Sequence, residues 1–151
     1  MNPGAKAKTV RLEKAFAGAP AGSKMLVATP EIVSDYMKAI PSGQTKTVRE
    51  MRADLAKRFK AQTTCPTSSG IFVRIASEAA LEDLAEGAAL GKVTPFWRLV
   101  DPESSAAQKL SCGPEFIAKR RRAEARSRAD APIRSFAWIP SKRSLECLWH
   151  M

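Results

Sequence analysis

The sequence predicts a mostly α-helical domain: a winged helix-turn-helix with a short β-hairpin as its wing and basic segments on either side. Three observations predict it. Apolar residues recur at helical spacing in successive stretches opened by helix-starting residues. The stretch KVTPFWRLV (92–100) breaks that period with β-rich and aromatic residues, and DPESS followed by AAQKL completes a hairpin pattern. The excess positive charge lies only towards the two ends of the chain.

In chain order, Thr29 and Pro30 supply an N-cap and a first turn, and Ile32, Val33, Tyr36 and Ile40 form one apolar face before PSG (41–43) stops the helix. Thr47 and Glu50 have the T-x-x-E spacing of a capping box. Val48, Met51, Leu55 and Phe59 follow on one face, which turns the basic residues of this second helix outward. TTCPTSSG (63–70) reads as a turn. Ile71, Phe72, Ile75, Ala79 and Leu84 suggest a third helix ending at Gly87. Two helices joined by a short polar turn, the first of them basic, make a helix-turn-helix pattern that any small helical domain could show. The hairpin follows. CGP (112–114) then breaks the chain, and EFIAKRRRAEARSRA (115–129) reads as an Arg/Ala-rich helix docked through Phe116 and Ile117. Past Pro132 the two tryptophans fall in segments with no clear period.

The net charge is +10, and residues 1–24 and 119–151 carry all of the excess; residues 25–118 hold eleven basic and eleven acidic side chains. The chain therefore divides into a basic, flexible N-terminal arm (1–24), a winged-helix domain (25–130) and a C-terminal extension (131–151). Basic arms on a neutral body point to a polyanion, with DNA ahead of a membrane surface. The bland alternative is a solvated tail. Within the body the second helix is positive, whereas residues 74–86 set Arg74 against Glu78, Glu82, Asp83 and Glu86.

No apolar run is long enough to cross a membrane, and the N-terminal stretch has no apolar core of secretory type. Cys65, Cys112 and Cys147 lie far apart with no CxxC pair, and the one histidine is His150. A structural zinc needs four clustered ligands, so no metal and no cofactor are expected. An odd cysteine count without an export signal predicts reduced thiols in a cytoplasmic protein, nucleoid-associated if it binds DNA; a monomer is expected ahead of an oligomer. Cys65 and Cys112 read as packing or surface residues rather than nucleophiles, since no histidine in the central region could act as a base. No P-loop, dinucleotide-binding glycine pattern or Ser-His-Asp order is present.

From Val33 to Ala125 the order of features resembles the C-terminal domain of alkylguanine-DNA alkyltransferase, and more closely the alkyltransferase-like homologues. The carrying residues are IPSGQTKTVREMRADLA, CPTSSGIF, TPFWRLV and KLSCGPEFIAKRRRAE. In the family a helix-turn-helix precedes a Pro-Cys-His-Arg-Val active-site strand, a short hairpin, a glycine and a last helix closed by a glutamate. Pro95 and Arg98 match the ends of that motif, Leu99 and Val100 its apolar continuation, and Glu124 the closing glutamate. The resemblance implies a base-binding pocket at Pro95, Phe96, Trp97, Arg98 and Glu124.

The departures change the chemistry. Phe96 stands in the place of the nucleophilic cysteine and Trp97 in that of the histidine. Alkyl transfer needs a thiolate and a base or positive neighbour to generate it, and neither ring supplies one. Transfer at this site is excluded, so no enzyme activity is expected. The family's transferases turn a guanine out of the stack before acting on it. A non-transferring member would hold an alkylated guanine in the pocket and flag it for repair. A base against an aromatic wall gains about 1–3 kcal/mol from stacking. The two rings either line such a pocket, with Phe96 at its floor and Trp97 packed behind, or fill it. A filled pocket would leave a winged-helix module serving transcription or protein assembly.

Lys46, Arg49 and Arg52 on the second helix, Arg74 on the third and Lys119, Arg120, Arg121 and Arg122 on the last are the DNA-facing candidates. Val48 stands where the transferases open their first helix with a tyrosine. Arg74 is the only basic residue on the recognition helix, and a shifted register would put Ser77 in its place. The acidic end of that helix favours a protein partner as a second reading.

Overall fold

The computed structural model describes residues 6–130. Strand β1 (Lys8–Arg11) pairs antiparallel with β2 (Lys24–Val27), with Thr9 opposite Leu26 and Val10 opposite Met25. Between the strands, Phe16 and Ala19 exchange both backbone hydrogen bonds around Ala17 and Gly18, whose φ values are 54° and 81°. Two central residues with positive φ form the tight turn that matches the twist of paired strands. The basic arm expected over residues 1–24 is therefore one side of a hairpin from Lys8 onward, and the 24/25 boundary falls inside β2. Leu26 is fully buried and anchors this hairpin to the helical core.

Helix α1 (Pro30–Ala39) starts as the sequence predicts, with Thr29 Oγ1 accepting from the Ile32 N–H and proline in the first turn. Val33 and Met37 are its fully buried residues, with Ile32 and Tyr36 packed beside them. Helix α2 (Val48–Arg58) has the expected capping box, the Thr47 side chain and Glu50 each satisfying the other's backbone N–H. Met51 and Leu55 are buried. Strand β3 (Thr63–Thr64) runs parallel to β2, in the order β1-β2-β3, and leads into α3 (Pro66–Ala85).

Helix α3 begins earlier than expected, at Pro66, because Pro at the first turn donates nothing and lies ready in helical φ. Its face is rotated as well. Ser69, Val73, Ala76, Ser77 and Ala80 are buried, whereas Ile71 and Ile75 are exposed at 52% and 39%. Small residues let α1 approach closely, and the Ser69 and Ser77 hydroxyls are satisfied by donating to the carbonyls of Cys65 and Val73. Ser77 is thus a core residue, and Arg74 is exposed. Gly87, at φ 96°, follows the helix end as predicted.

The predicted wing is absent from residues 92–110. Phe96–Arg98 form one turn of 3₁₀ helix, and Ser105–Gln108 form a short helix, α4, capped by Ser104. The physical reason is burial. Phe96 and Trp97 are both inaccessible to solvent, and consecutive residues of a strand would face opposite ways. A tight turn aims both rings into one core. The hairpin of this fold is the N-terminal β1–β2 pair. Helix α5 (Gly113–Ala129) closes the structure, its break marked by Gly113 at φ 70°, with Ile117 buried. The described part is mostly helical with one small sheet. None of its helices is long and apolar enough to cross a membrane. The expected extension 131–151, with Cys147 and His150, lies outside the described residues.

Candidate functional site

The 3₁₀ turn presents its side chains to the last helix. Trp97 Nε1 donates to Glu124 Oε1 at 2.9 Å. Arg98 donates to the same carboxylate from Nε at 3.0 Å and from Nη2 at 2.8 Å, and its Nη1 donates to the Ile40 carbonyl at 2.7 Å. The Gly43 N–H adds a bond to Glu124 Oε2 at 3.1 Å. Burial would raise the Glu124 carboxyl, but the hydrogen bonds from Arg98, Gly43 and Trp97, with the Arg98 charge, outweigh it and hold it at about 2. The PSG loop, the 3₁₀ turn and α5 therefore meet on one ionised carboxylate.

Gly43 has a φ of 76°, and a Cβ there would lie 3.1 Å from the Arg128 side chain and 3.3 Å from the Glu124 carbonyl oxygen. Only glycine fits that approach without strain. Sequence reasoning took this residue for a helix stop alone. The nearby helix stop was its only signal.

Phe96 stands edge-on to Trp97 at 5.4 Å and stacks on Phe116 at 6.1 Å. Phe96 is core, and Trp97 is the ring that borders a cleft. The expectation that Phe96 forms a pocket floor with Trp97 behind it is reversed, because the 3₁₀ turn points residue 96 towards α5's first turn. That cleft, of about 270 Å³, lies between the end of α1, residues 90–95 and α5. Pro95, Trp97, Arg98 and Glu124 line it, together with Arg120. A separate groove of about 560 Å³ opens beside the start of α2, with Val48, Val73, Leu99 and Val100 as apolar walls, Thr45 and Ser104 as polar ones, and Lys46, Glu50, Asp101 and Arg121 as charged ones. Val48 lies on this groove, whereas Phe96 and Trp97 do not line it.

The basic candidates separate into two groups. Arg52 Nε and Nη2 both donate to the Thr64 carbonyl, fastening α2 to β3. Arg121 donates to the carbonyls of Trp97 and Val100, and burial lowers its guanidinium. These two serve the fold. Lys46 pairs with Asp54 at 2.9 Å, which also accepts from Tyr36 Oη at 2.6 Å. Arg120 lies over the Trp97 ring, 5.1 Å from its centroid. Arg49, Arg74, Lys119 and Arg122 are exposed. Arg98 stands against these as the partly buried ion-pair partner of Glu124. Comparison with models of protein families, with curated proteins and with solved structures finds no match for this chain.

Proposed function

We propose that the chain is a non-catalytic, alkyltransferase-like DNA-binding protein that holds an alkylated guanine turned out of the duplex and flags it for repair. The observation that carries this reading is the Trp97–Arg98–Glu124 network. The side chain in the family's histidine position donates to the closing glutamate 27 residues later, while Phe96 leaves no nucleophile beside it. The groove next to Val48 would take the base against its aliphatic walls, with the Thr45 hydroxyl and the Glu50 and Asp101 carboxylates among the polar groups that line it. The rings of Phe96 and Trp97 then support the groove from within the core rather than stack on the base. Arg49 and Arg74 are exposed on the two helices of the pair and would meet phosphates. The test is a binding comparison between duplexes carrying O6-methylguanine and guanine at one site. Tighter binding of the lesion supports the reading; equal affinity at all salt concentrations refutes it.

A second reading rests on α3. Its outer face sets the exposed Ile71 and Ile75 beside Glu78 and Glu82, with Arg74 on the same face; two apolar side chains and two acids against one arginine suit a protein partner better than a phosphate. On that reading the domain is an assembly module. Ile71→Ser with Ile75→Ser separates the two, because DNA held at the Val48 groove and the basic residues would keep most of its affinity.

A further inference from the structure

The cleft beside Trp97 has an unbalanced charge. Lys38 stands on one side of it, Lys92 on another, and Arg120 reaches in from α5. Its remaining charged groups, Arg98 and Glu124, neutralise each other at 2.8 Å, and every donor aimed at the Glu124 carboxylate comes from Arg98, Trp97 or Gly43. Among the described residues, Lys38, Lys92 and Arg120 form no salt bridge. Arg120 is held over the Trp97 face by a cation–π contact. Its Nε is shielded from solvent and, among the described residues, has no hydrogen-bond acceptor. A guanidinium held over a ring, with two lysines lining the same cleft and no carboxylate paired to any of the three among the described residues, favours an anion there.

We propose that this cleft is an anion site that takes a phosphate group, with Arg120 as the oriented donor and Lys38 and Lys92 as charges at its rim. Phosphate fits better than a carboxylate because three cations converge and a phosphate offers oxygens in several directions. The site shares no lining residue with the groove at Val48, so it does not rest on the base-binding reading. The phosphate is either that of a small ligand or one of a nucleic-acid backbone.

The test is titration of the full ¹⁵N-labelled chain with inorganic phosphate at constant ionic strength, following the Arg120 Nε–H and Trp97 indole N–H resonances. Both are expected to shift saturably. Arg120→Gln and Lys92→Ala should each weaken binding about tenfold, the loss of one charged contact. Lys92 is exposed, so its alanine variant keeps the test sound even if Arg120→Gln alters the fold. A parallel titration with a short DNA duplex identifies the source. If the duplex moves these resonances and phosphate alone does not, the phosphate belongs to nucleic acid. Resonances unmoved by either, or a phosphate response that the Lys92 and Arg120 variants leave intact, would overturn the proposal.

Discussion

Trp97 and Glu124 are joined by a hydrogen bond from the indole N–H to the carboxylate, 2.9 Å long and largely closed to solvent. The residue after the tryptophan, Arg98, reaches the same carboxylate. Two neighbours in sequence can do this only because the 3₁₀ turn sends both side chains towards α5. Removing the carboxylate would strand a guanidinium, an indole N–H and the Gly43 N–H together.

Glu124→Ala should therefore cost about 3–5 kcal/mol, as breaking one partner of a buried ion pair does. Glu124→Gln keeps an acceptor oxygen and should cost less. Urea unfolding of the two variants checks the order, and equal losses would show that charge alone matters.

The rings give a second expectation. Phe96 and Trp97 are both core residues, so alanine at either position should destabilise the fold by about 3–5 kcal/mol. Trp97→Phe keeps most of the packing but removes the donor to Glu124. That loss should be about 1–3 kcal/mol. A harmless Phe96→Ala, read by thermal melting, would place that ring at the surface after all.

Legibility in the sequence followed how local the cause was. The Thr47–Glu50 box, the Thr29–Pro30 start and the Gly87 stop depend on neighbours within a few residues, and all three stand. The wing failed because VTPFWRLV has strand propensity, and only the demand to bury both rings on one side overrides it. The face of α3 was misjudged for a related reason. Ile71 and Ile75 are its conspicuous apolar residues, but the face the helix buries is the mostly small-residue one of Ser69, Val73, Ala76, Ser77 and Ala80. The bonds that gather Gly43, Trp97 and Arg98 on Glu124 were not legible, since nothing local links residue 124 to residues 43, 97 and 98. Arg52 and Arg121 looked like DNA contacts because a basic residue on a helix shows no sign of the carbonyl it will meet.

The Glu124 carboxyl also fixes a pH dependence. Its value is lowered from 4.5 to about 2 in the folded protein. A depressed carboxyl contributes stability that is present in full above the unfolded value and is lost as pH falls towards the folded one. The contribution, roughly 3 kcal/mol, should therefore be lost mostly between about pH 4.5 and pH 2. Glu124→Gln should flatten this part of the stability profile, measured by urea midpoints at successive pH values. A wild-type profile already flat there would mean that Arg98 does not hold the carboxylate.

Gly43→Ala tests the loop that closes the site. The positive φ and the approach to Arg128 and Glu124 both oppose a side chain. A loss of at least about 1 kcal/mol is expected, from the backbone conformation alone. Gly22→Ala is the control: it shares a positive φ but has open space around it. If the two variants lose the same stability, the crowding at residue 43 is unimportant.

The basic residues should divide in the same way when DNA binding is measured against salt. Arg49, Lys119 and Arg122 are exposed, Arg122 with only a long surface bond from Nε to the Ala118 carbonyl, whereas Arg52 and Arg121 spend their donors on the carbonyls of Thr64, Trp97 and Val100. Each phosphate contact contributes about one unit to the slope of log K against log salt. Replacing Arg49, Lys119 or Arg122 by alanine should lower that slope by about 1 for each residue in contact, with melting temperature unchanged. Replacing Arg52 or Arg121 should lower the melting temperature and leave the slope alone, because their charge is already committed within the fold. The opposite pattern, with Arg52 and Arg121 setting the slope, would mean that these side chains release their carbonyls to bind DNA. A slope near zero for the wild type would remove nucleic acid from the proposal and leave the Ile71–Ile75 face of α3 as the surface to pursue.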